Sequence, residues 1–106
     1  MSEAVKYCYV VVRDDLSLEQ KVVQVGHVCL EAGRQNLVPL DETHPHFAVV
    51  TVKDENELIN LHGELSELNS QVFLEPGVGY TAILFESLLK NQVPGQLKRL
   101  GLLKGS

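Results

Sequence analysis

The sequence has no long hydrophobic run and only 2 cysteines. No apolar stretch approaches the roughly 20 residues that a membrane-spanning helix needs, and Met1 to Ala4 lead toward a strand without the pattern of a signal peptide. Cys8 and Cys29 stand among apolar residues, which is typical of buried thiols rather than of a disulfide. We therefore expect a cytoplasmic protein from a reducing compartment, without membrane contact.

Positive charge is also scarce. Lys and Arg together number 9 against 14 Asp and Glu, which gives a net charge of -5. This balance disfavours RNA and anionic membranes as partners, because affinity for them normally comes from Lys and Arg contacts to phosphate. A nucleic-acid partner would need cations that cluster locally, and the sequence offers Arg13 with Lys21, and Lys98, Arg99 and Lys104.

Residues 1–106 are expected to form one domain, because this length supports one core and no repeat or linker interrupts it. The apolar runs predict the order β-α-β-α-β-β-α, a three-layer α/β fold with helices on both faces of a four-stranded mixed sheet. The predicted elements are strands at 7–12, 46–53, 71–74 and 80–85, and helices at 18–33, after Asp54, and at 96–100. The first strand is apolar on both faces, which predicts a central position with parallel neighbours. The last two strands are joined by a short turn, which predicts an antiparallel pair.

The first helix has clear end signals. Ser17 followed by Gln20 forms a capping-box pattern, and Gly33 stands where a left-handed cap is usual. At about 100° per residue, the residues expected to face the core are Leu18, Val22, Val25, Cys29 and Ala32. The opposite side carries a polar stripe of Gln20, Gln24, His27 and Glu31. Val23 and Leu30 flank this stripe and need cover, for which a homodimer is one possibility.

Two interpretations of the polar stripe stay open. It is either the solvent side of an ordinary helix or one wall of a binding site. Strand-to-helix junctions of α/β folds bind ligands outside the carboxyl ends of strands and near a helix N-terminus, and here that junction contains Arg13, Asp14 and the first helical turn. Lys21 lies about 100° around the helix from Gln20, which leaves open whether it faces such a groove.

Two motifs resemble those of a known family. The first is Arg13-Asp14-Asp15-Leu16-Ser17 followed by Gln24-Val25-Gly26-His27, and the second is Phe73-Leu74-Glu75-Pro76-Gly77-Val78-Gly79-Tyr80-Thr81-Ala82-Ile83. In this order they resemble the motifs of the type 2 peptidyl-tRNA hydrolases, in the shorter form of some bacterial and phage-like homologues. The motifs together span most of the chain.

The resemblance implies a metal-free and cofactor-free hydrolase that cleaves the ester between a peptide or aminoacyl group and tRNA. The catalytic residues then fall on Glu75, Thr81 and His27. The substrate contacts fall on Arg13, Asp14, Gln20, Lys21, Gln24, Gly77 and Gly79. The chain differs from longer family members in two ways, since it lacks a glycine- and lysine-rich start to the first helix and carries glutamate where they carry aspartate.

Other functions fit the same residues. The scaffold could serve as a non-catalytic binding module, or as a small-molecule ester hydrolase that uses Glu75 and His27. Glu75 is equally interpretable as a solvated turn carboxylate, and Thr81 as an ordinary strand residue. His44-Pro45-His46 lacks the third ligand that a zinc site needs, so we expect no metal there.

Overall fold

The computed structural model, which describes residues 5–37 and 45–103, is an α/β domain with a mixed sheet. The elements are β1 (Lys6–Arg13), α1 (Leu18–Arg34), β2 (His46–Val52), α2 (Glu55–Glu64), β3 (Ser70–Glu75), β4 (Gly79–Phe85), β5 (Leu88–Leu89) and α3 (Gly95–Lys98), with a 3-10 turn at Lys90–Gln92. The predicted order of the larger elements is confirmed. The sheet has five strands rather than four, because the two-residue β5 is too short to leave a pattern in the sequence.

β1 lies at the centre of the sheet. The strand order is β2-β1-β4-β3, and β5 pairs with the amino end of β1. β1 runs parallel to β2, as a β-α-β unit requires, whereas β4 and β5 are antiparallel to it. The prediction of parallel neighbours is therefore confirmed for β2 and wrong for β4 and β5. The predicted antiparallel pairing of β3 with β4 is confirmed.

Alternate residues of β1 supply two cores, because successive side chains of a strand point to opposite faces. The core that α1 covers contains Cys8, Val10, Val12, Val28, Ala32, Ala82 and Leu84. The core that α2 and α3 cover includes Val11, Val50, Leu58, Leu61, Ile83, Phe85 and Leu97. Helices thus lie against both faces of the sheet.

The ends of α1 differ in detail from the prediction. Ser17 is the N-cap, and its hydroxyl accepts the N–H of Gln20 at 3.2 Å. The Gln20 side chain does not complete the capping box, since its oxygen accepts from the Gln24 amide at 3.4 Å. The left-handed residue after the helix is Asn36 (φ 55) rather than Gly33, because asparagine tolerates this conformation and the helix extends past the glycine.

The direction in which α1 faces is the main correction to the sequence prediction. Its buried residues are Lys21, Gln24, Val28 and Ala32. Val22, expected in the core, is 59% exposed. The helix is turned so that two polar side chains point inward, which is possible only because the hairpin and the β1–α1 loop supply their partners. Val23 and Leu30 are exposed as expected, and a homodimer through them stays a prediction.

The second helix follows its sequence signals closely. Asp54 is the N-cap and accepts the N–H of Glu57 at 3.0 Å. Leu58 and Leu61 are buried, whereas His62 is exposed. After α3, Leu102 forms an isolated bridge to Val50 on the outer edge of β2. Among the described residues, no helix combines the length and apolarity needed to cross a membrane.

The turn between β3 and β4 needs its glycines. Gly77 has φ 83 and Gly79 has φ 103, values that side chains rarely adopt. The N–H of Val78 donates to the carbonyl of Glu75 at 3.0 Å. A Cβ atom at Gly79 would also collide with the carboxylate of Glu55, which accepts the N–H of Tyr80 at 2.9 Å.

We predict that Gly79→Ala lowers the free energy of unfolding by about 1–3 kcal/mol, because it combines a strained φ with the collision against Glu55. Urea denaturation measures the change. Gly63→Ala is the matched control, since Gly63 lies in α2 with open space around its Cβ position, and there alanine should stabilise by about 0.5–1 kcal/mol. Equal effects of the two substitutions would contradict this account of the turn.

Candidate functional site

Arg13, at the carboxyl end of β1, joins the β1–α1 junction to the hairpin turn. Its Nη1 donates to the carbonyls of Val78 at 3.0 Å and Tyr80 at 3.3 Å. Its Nε and Nη2 donate to the two carboxylate oxygens of Asp15, each at 2.9 Å. The guanidinium side chain is 12% exposed, so its donors are used within the protein. The two segments that carry the sequence motifs are therefore adjacent.

The ion pair between Arg13 and Asp15 shifts the pKa of both side chains. The hydrogen bond from Arg13 lowers the pKa of Asp15 below its ordinary value of 3.8, against the opposing effect of partial burial. The same hydrogen bond raises the pKa of Arg13, and the charges of Asp15, Glu55 and Asp54 act in the same direction. Both groups are thus held in their charged forms.

Gln24 connects α1 to the hairpin. Its amide nitrogen donates to the carboxylate of Glu75 at 3.0 Å, and its amide oxygen accepts from the hydroxyl of Thr81 at 2.8 Å. The side chain is 1% exposed, so these bonds satisfy an amide that has almost no access to water. Three residues from two distant motifs form one hydrogen-bonded group.

A β-bulge directs Thr81 toward α1. Phe73 pairs with Ala82 and Leu74 pairs with Tyr80, which leaves Thr81 as the extra residue of β4. Bulges commonly redirect one side chain of a strand. Ala82 already contributes to the α1-side core, and the bulge allows Thr81 to face the same helix. Thr81 is fully buried, so its hydroxyl orients Gln24 and does not itself meet solvent.

Lys21 does face this side of α1. It is buried, and its ammonium nitrogen lies 2.5 Å from Oδ1 of Asp14. Lys21 and Gln24 are three residues apart on the helix, so their side chains are neighbours on one face. A lysine with little access to water needs a carboxylate partner, and Asp14 supplies it from the preceding loop. Lys21 and Gln24 therefore both face the interior, although Lys21 lies about 100° around the helix from Gln20.

The remaining predicted residues lie at different distances from this group. Gln20 is exposed and joins it through its bond from Gln24. Gly77 and Gly79 shape the turn beside Glu75. His27 is exposed and stacks on Phe73, with ring centroids 4.7 Å apart and an interplanar angle of 7°. It forms no hydrogen bond to the site among the described residues, because it lies one turn further along α1.

Sequence reasoning missed two residues. Glu55, at the start of α2, accepts the N–H of Tyr80 and so contacts the hairpin. Asp15 forms an ion pair with Arg13. Neither contact had a signal in the sequence, because both depend on how the hairpin meets the other elements.

The structure was searched for side chains that together could bind a metal ion. Among residues 5–37 and 45–103, no group of three or more His, Cys, Asp or Glu side chains is placed to hold an ion. Of the two histidines considered for such a site, His44 lies outside the described residues, and His46 stacks on Tyr7.

Comparisons with known proteins assign no family. No protein-family model matches the chain, and no curated protein shows a significant match to it. The relationship to type 2 peptidyl-tRNA hydrolases, which the two motifs suggest, therefore stays a prediction. Any functional proposal must also be supported by the geometry of the site.

We predict that the Asp15–Arg13 pair makes stability depend on pH. Because the pKa of Asp15 is lower in the folded state, the pair stabilises the fold above the unfolded-state pKa, and this contribution is lost as pH falls through the folded-state pKa. Unfolding of Asp15→Asn and of the natural chain should therefore differ at about pH 6 and converge near about pH 2. A difference that is constant with pH would contradict the pair. In an Arg13→Met background, Asp15→Asn should show no such convergence.

We also predict that Thr81→Val destabilises the fold by about 1–3 kcal/mol, because it leaves the buried oxygen of Gln24 without a donor. Thr81→Ser keeps the hydroxyl and should cost less than half as much. Thr51→Val is a control on β2, where the threonine is only half-buried. Denaturant unfolding measures all three, and equal losses for the valine and serine variants at position 81 would contradict the role of the hydroxyl.

Proposed function

We propose that the chain hydrolyses the ester that joins a peptide or aminoacyl group to the terminal ribose of tRNA. The observation that carries the proposal is the bridge that Gln24 makes between Glu75 and Thr81. It gives the half-buried carboxylate of Glu75 a fixed orientation beside the amino-terminal half of α1. The same residues are those on which the family motifs fall.

Glu75 is the proposed general base. Water attacks the ester carbonyl carbon while Glu75 takes its proton, and the carbonyl becomes an oxyanion. When this intermediate collapses, the bond to the ribose oxygen breaks, and Glu75 returns the proton to that oxygen. The products are a carboxylic acid and tRNA with a free hydroxyl. Gln24 holds the carboxylate, and Thr81 acts through Gln24 as a positioning residue.

Lys21 supplies positive charge on the same helix face. Its ammonium group is held by Asp14, and it lies in the first turn of α1, where the helix dipole is also positive. A developing oxyanion is stabilised by charge that is already fixed in place before the reaction. Lys21 is therefore the proposed electrostatic partner of the reacting carbonyl. His27, which stacks on Phe73, takes no part in the proposed step.

Glu75→Gln should lower kcat for release of an N-acetylated amino acid from tRNA by at least about 100-fold, since it removes the general base. The fold should persist, because a glutamine oxygen can still accept from Gln24. Glu67→Gln, at an exposed position on the chain, is the control and should retain activity. A natural chain that leaves this substrate intact across salt and pH, or a Glu75→Gln variant of full activity, would overturn the proposal.

One observation favours a second candidate, an esterase for uncharged small molecules. The two cations of the junction, Arg13 and Lys21, are each paired with a carboxylate, Asp15 and Asp14. A polyanion gains less from paired cations than from free ones. Activity on a small neutral ester that is unaffected by salt, together with inactivity on tRNA, would favour this candidate. A chain that binds tRNA or the small ester but hydrolyses neither would indicate a non-catalytic binding module.

A further inference from the structure

A cavity lies near the amino end of β1. It has a volume of about 220 Å³ and is lined by Tyr7, Tyr9, Lys90, Val93 and Lys98. Tyr7 is six residues from Arg13 along the strand, a separation of roughly 20 Å at 3.3 Å per residue. The tyrosines pack against the core that α2 and α3 cover, whereas Gln24 and Thr81 meet on the α1 side. The cavity is therefore separate from the candidate site.

Two of the residues that line the cavity are lysines, Lys90 and Lys98. Lys90 and Lys98 are exposed, and no carboxylate within the described ranges lies close enough to pair with either. By contrast, Arg13, Lys21 and Arg34 each form an ion pair with a carboxylate. In a chain with a net charge of -5, two ammonium groups with no carboxylate partner among the described residues are a local reversal of charge. They would attract an anion.

The other residues with polar side chains that line the cavity are Tyr7 and Tyr9. Among the described residues, the hydroxyls of Tyr7 and Tyr9 form no hydrogen bond, and neither hydroxyl is buried without a partner. The lining residues thus offer ammonium and phenol donors, with Val93 as the apolar member and no carboxylate or amide side chain. Donors of this kind match a group with several charged acceptor oxygens, such as phosphate.

The aromatic rings indicate what the phosphate would be attached to. The ring of Tyr7 stacks on that of His46, with centroids 5.5 Å apart and planes inclined by 30°. Tyr9, two residues along β1, places a second phenol ring on the same face of the strand. Aromatic side chains beside cations are the arrangement by which proteins hold a base and its phosphate together.

We propose that this cavity binds a nucleotide, with its phosphate at Lys90 and Lys98 and its base against the tyrosines. The nucleotide is either free or the terminal residue of a nucleic-acid strand, since both present the same chemistry. The site does not depend on the proposed ester hydrolysis, and binding should be unchanged in the Glu75→Gln variant.

Tyrosine fluorescence and amide NMR test the proposal directly. The chain has no Trp and 3 Tyr, so Tyr80→Phe leaves Tyr7 and Tyr9 as the only emitters. AMP and a hexauridylate with or without a 5′-phosphate are titrated into this variant. Fluorescence should be quenched, and amide shifts should cluster at residues 6–9 and 88–98. Tighter binding of AMP identifies a free nucleotide, and tighter binding of the phosphorylated strand identifies a strand end.

Substitutions at the lysines separate contact from net charge. Lys90→Met and Lys98→Met should each weaken binding by about tenfold, as expected for loss of a charge-assisted contact. Lys53→Met changes the net charge equally at an exposed position beyond the end of β2, and it should change affinity by less than about twofold. The proposal is overturned if neither probe binds, if the shifts fall elsewhere, if inorganic phosphate binds as tightly as AMP, or if Lys53→Met weakens binding as much as the other two.

Discussion

The buried amide of Gln24 sets the orientation of α1 and, through it, the composition of the site. A primary amide without partners in a protein interior costs about 1–3 kcal/mol for each unsatisfied group, so Gln24 can be buried only where a donor and an acceptor both meet it. Thr81 and Glu75 provide them from one hairpin. The helix therefore turns Lys21 and Gln24 inward and leaves Val22 facing outward. If α1 were rotated to bury Val22, Gln24 would turn away from the carboxylate of Glu75.

The hairpin is held from three directions. Gln24 holds its α1 side, Arg13 binds the carbonyls of Val78 and Tyr80 at the end of β1, and Glu55 binds the N–H of Tyr80 from the start of α2. The contacts of Arg13 and Glu55 use charged groups near the surface, which contribute little free energy of folding but restrict where the turn can lie. The turn that carries Glu75 is thus fixed relative to the helix, as a general base requires, since catalysis is sensitive to displacements of about 1 Å.

Local signals in the sequence were sufficient to predict most elements but not their orientation. The caps at Ser17 and Asp54 and the apolar strands gave correct boundaries within a few residues, because these depend on neighbours along the chain. The predicted buried face of α1 differs from the observed one by a rotation of less than one quarter turn. The prediction used only the spacing of apolar residues and did not include hydrogen-bond partners from other segments. The bulge at Thr81, the pairing of β5 and the contacts of Glu55 arise only when distant segments meet. The motifs drew attention to Glu75, Thr81 and Lys21 alike, but only the structure shows that Lys21 lies on the same helix face as Gln24.

The most direct test of the central claim is a double-mutant cycle between Gln24 and Thr81. The free energies of unfolding are measured in urea for the natural chain, Gln24→Leu, Thr81→Val and the double variant. If the two side chains form one buried hydrogen-bonded unit, the losses should be non-additive by at least about 1 kcal/mol, with the double variant more stable than the sum of the single losses predicts. Losses that add within about 0.3 kcal/mol would show that the amide and hydroxyl do not depend on each other, and would contradict this account of the site.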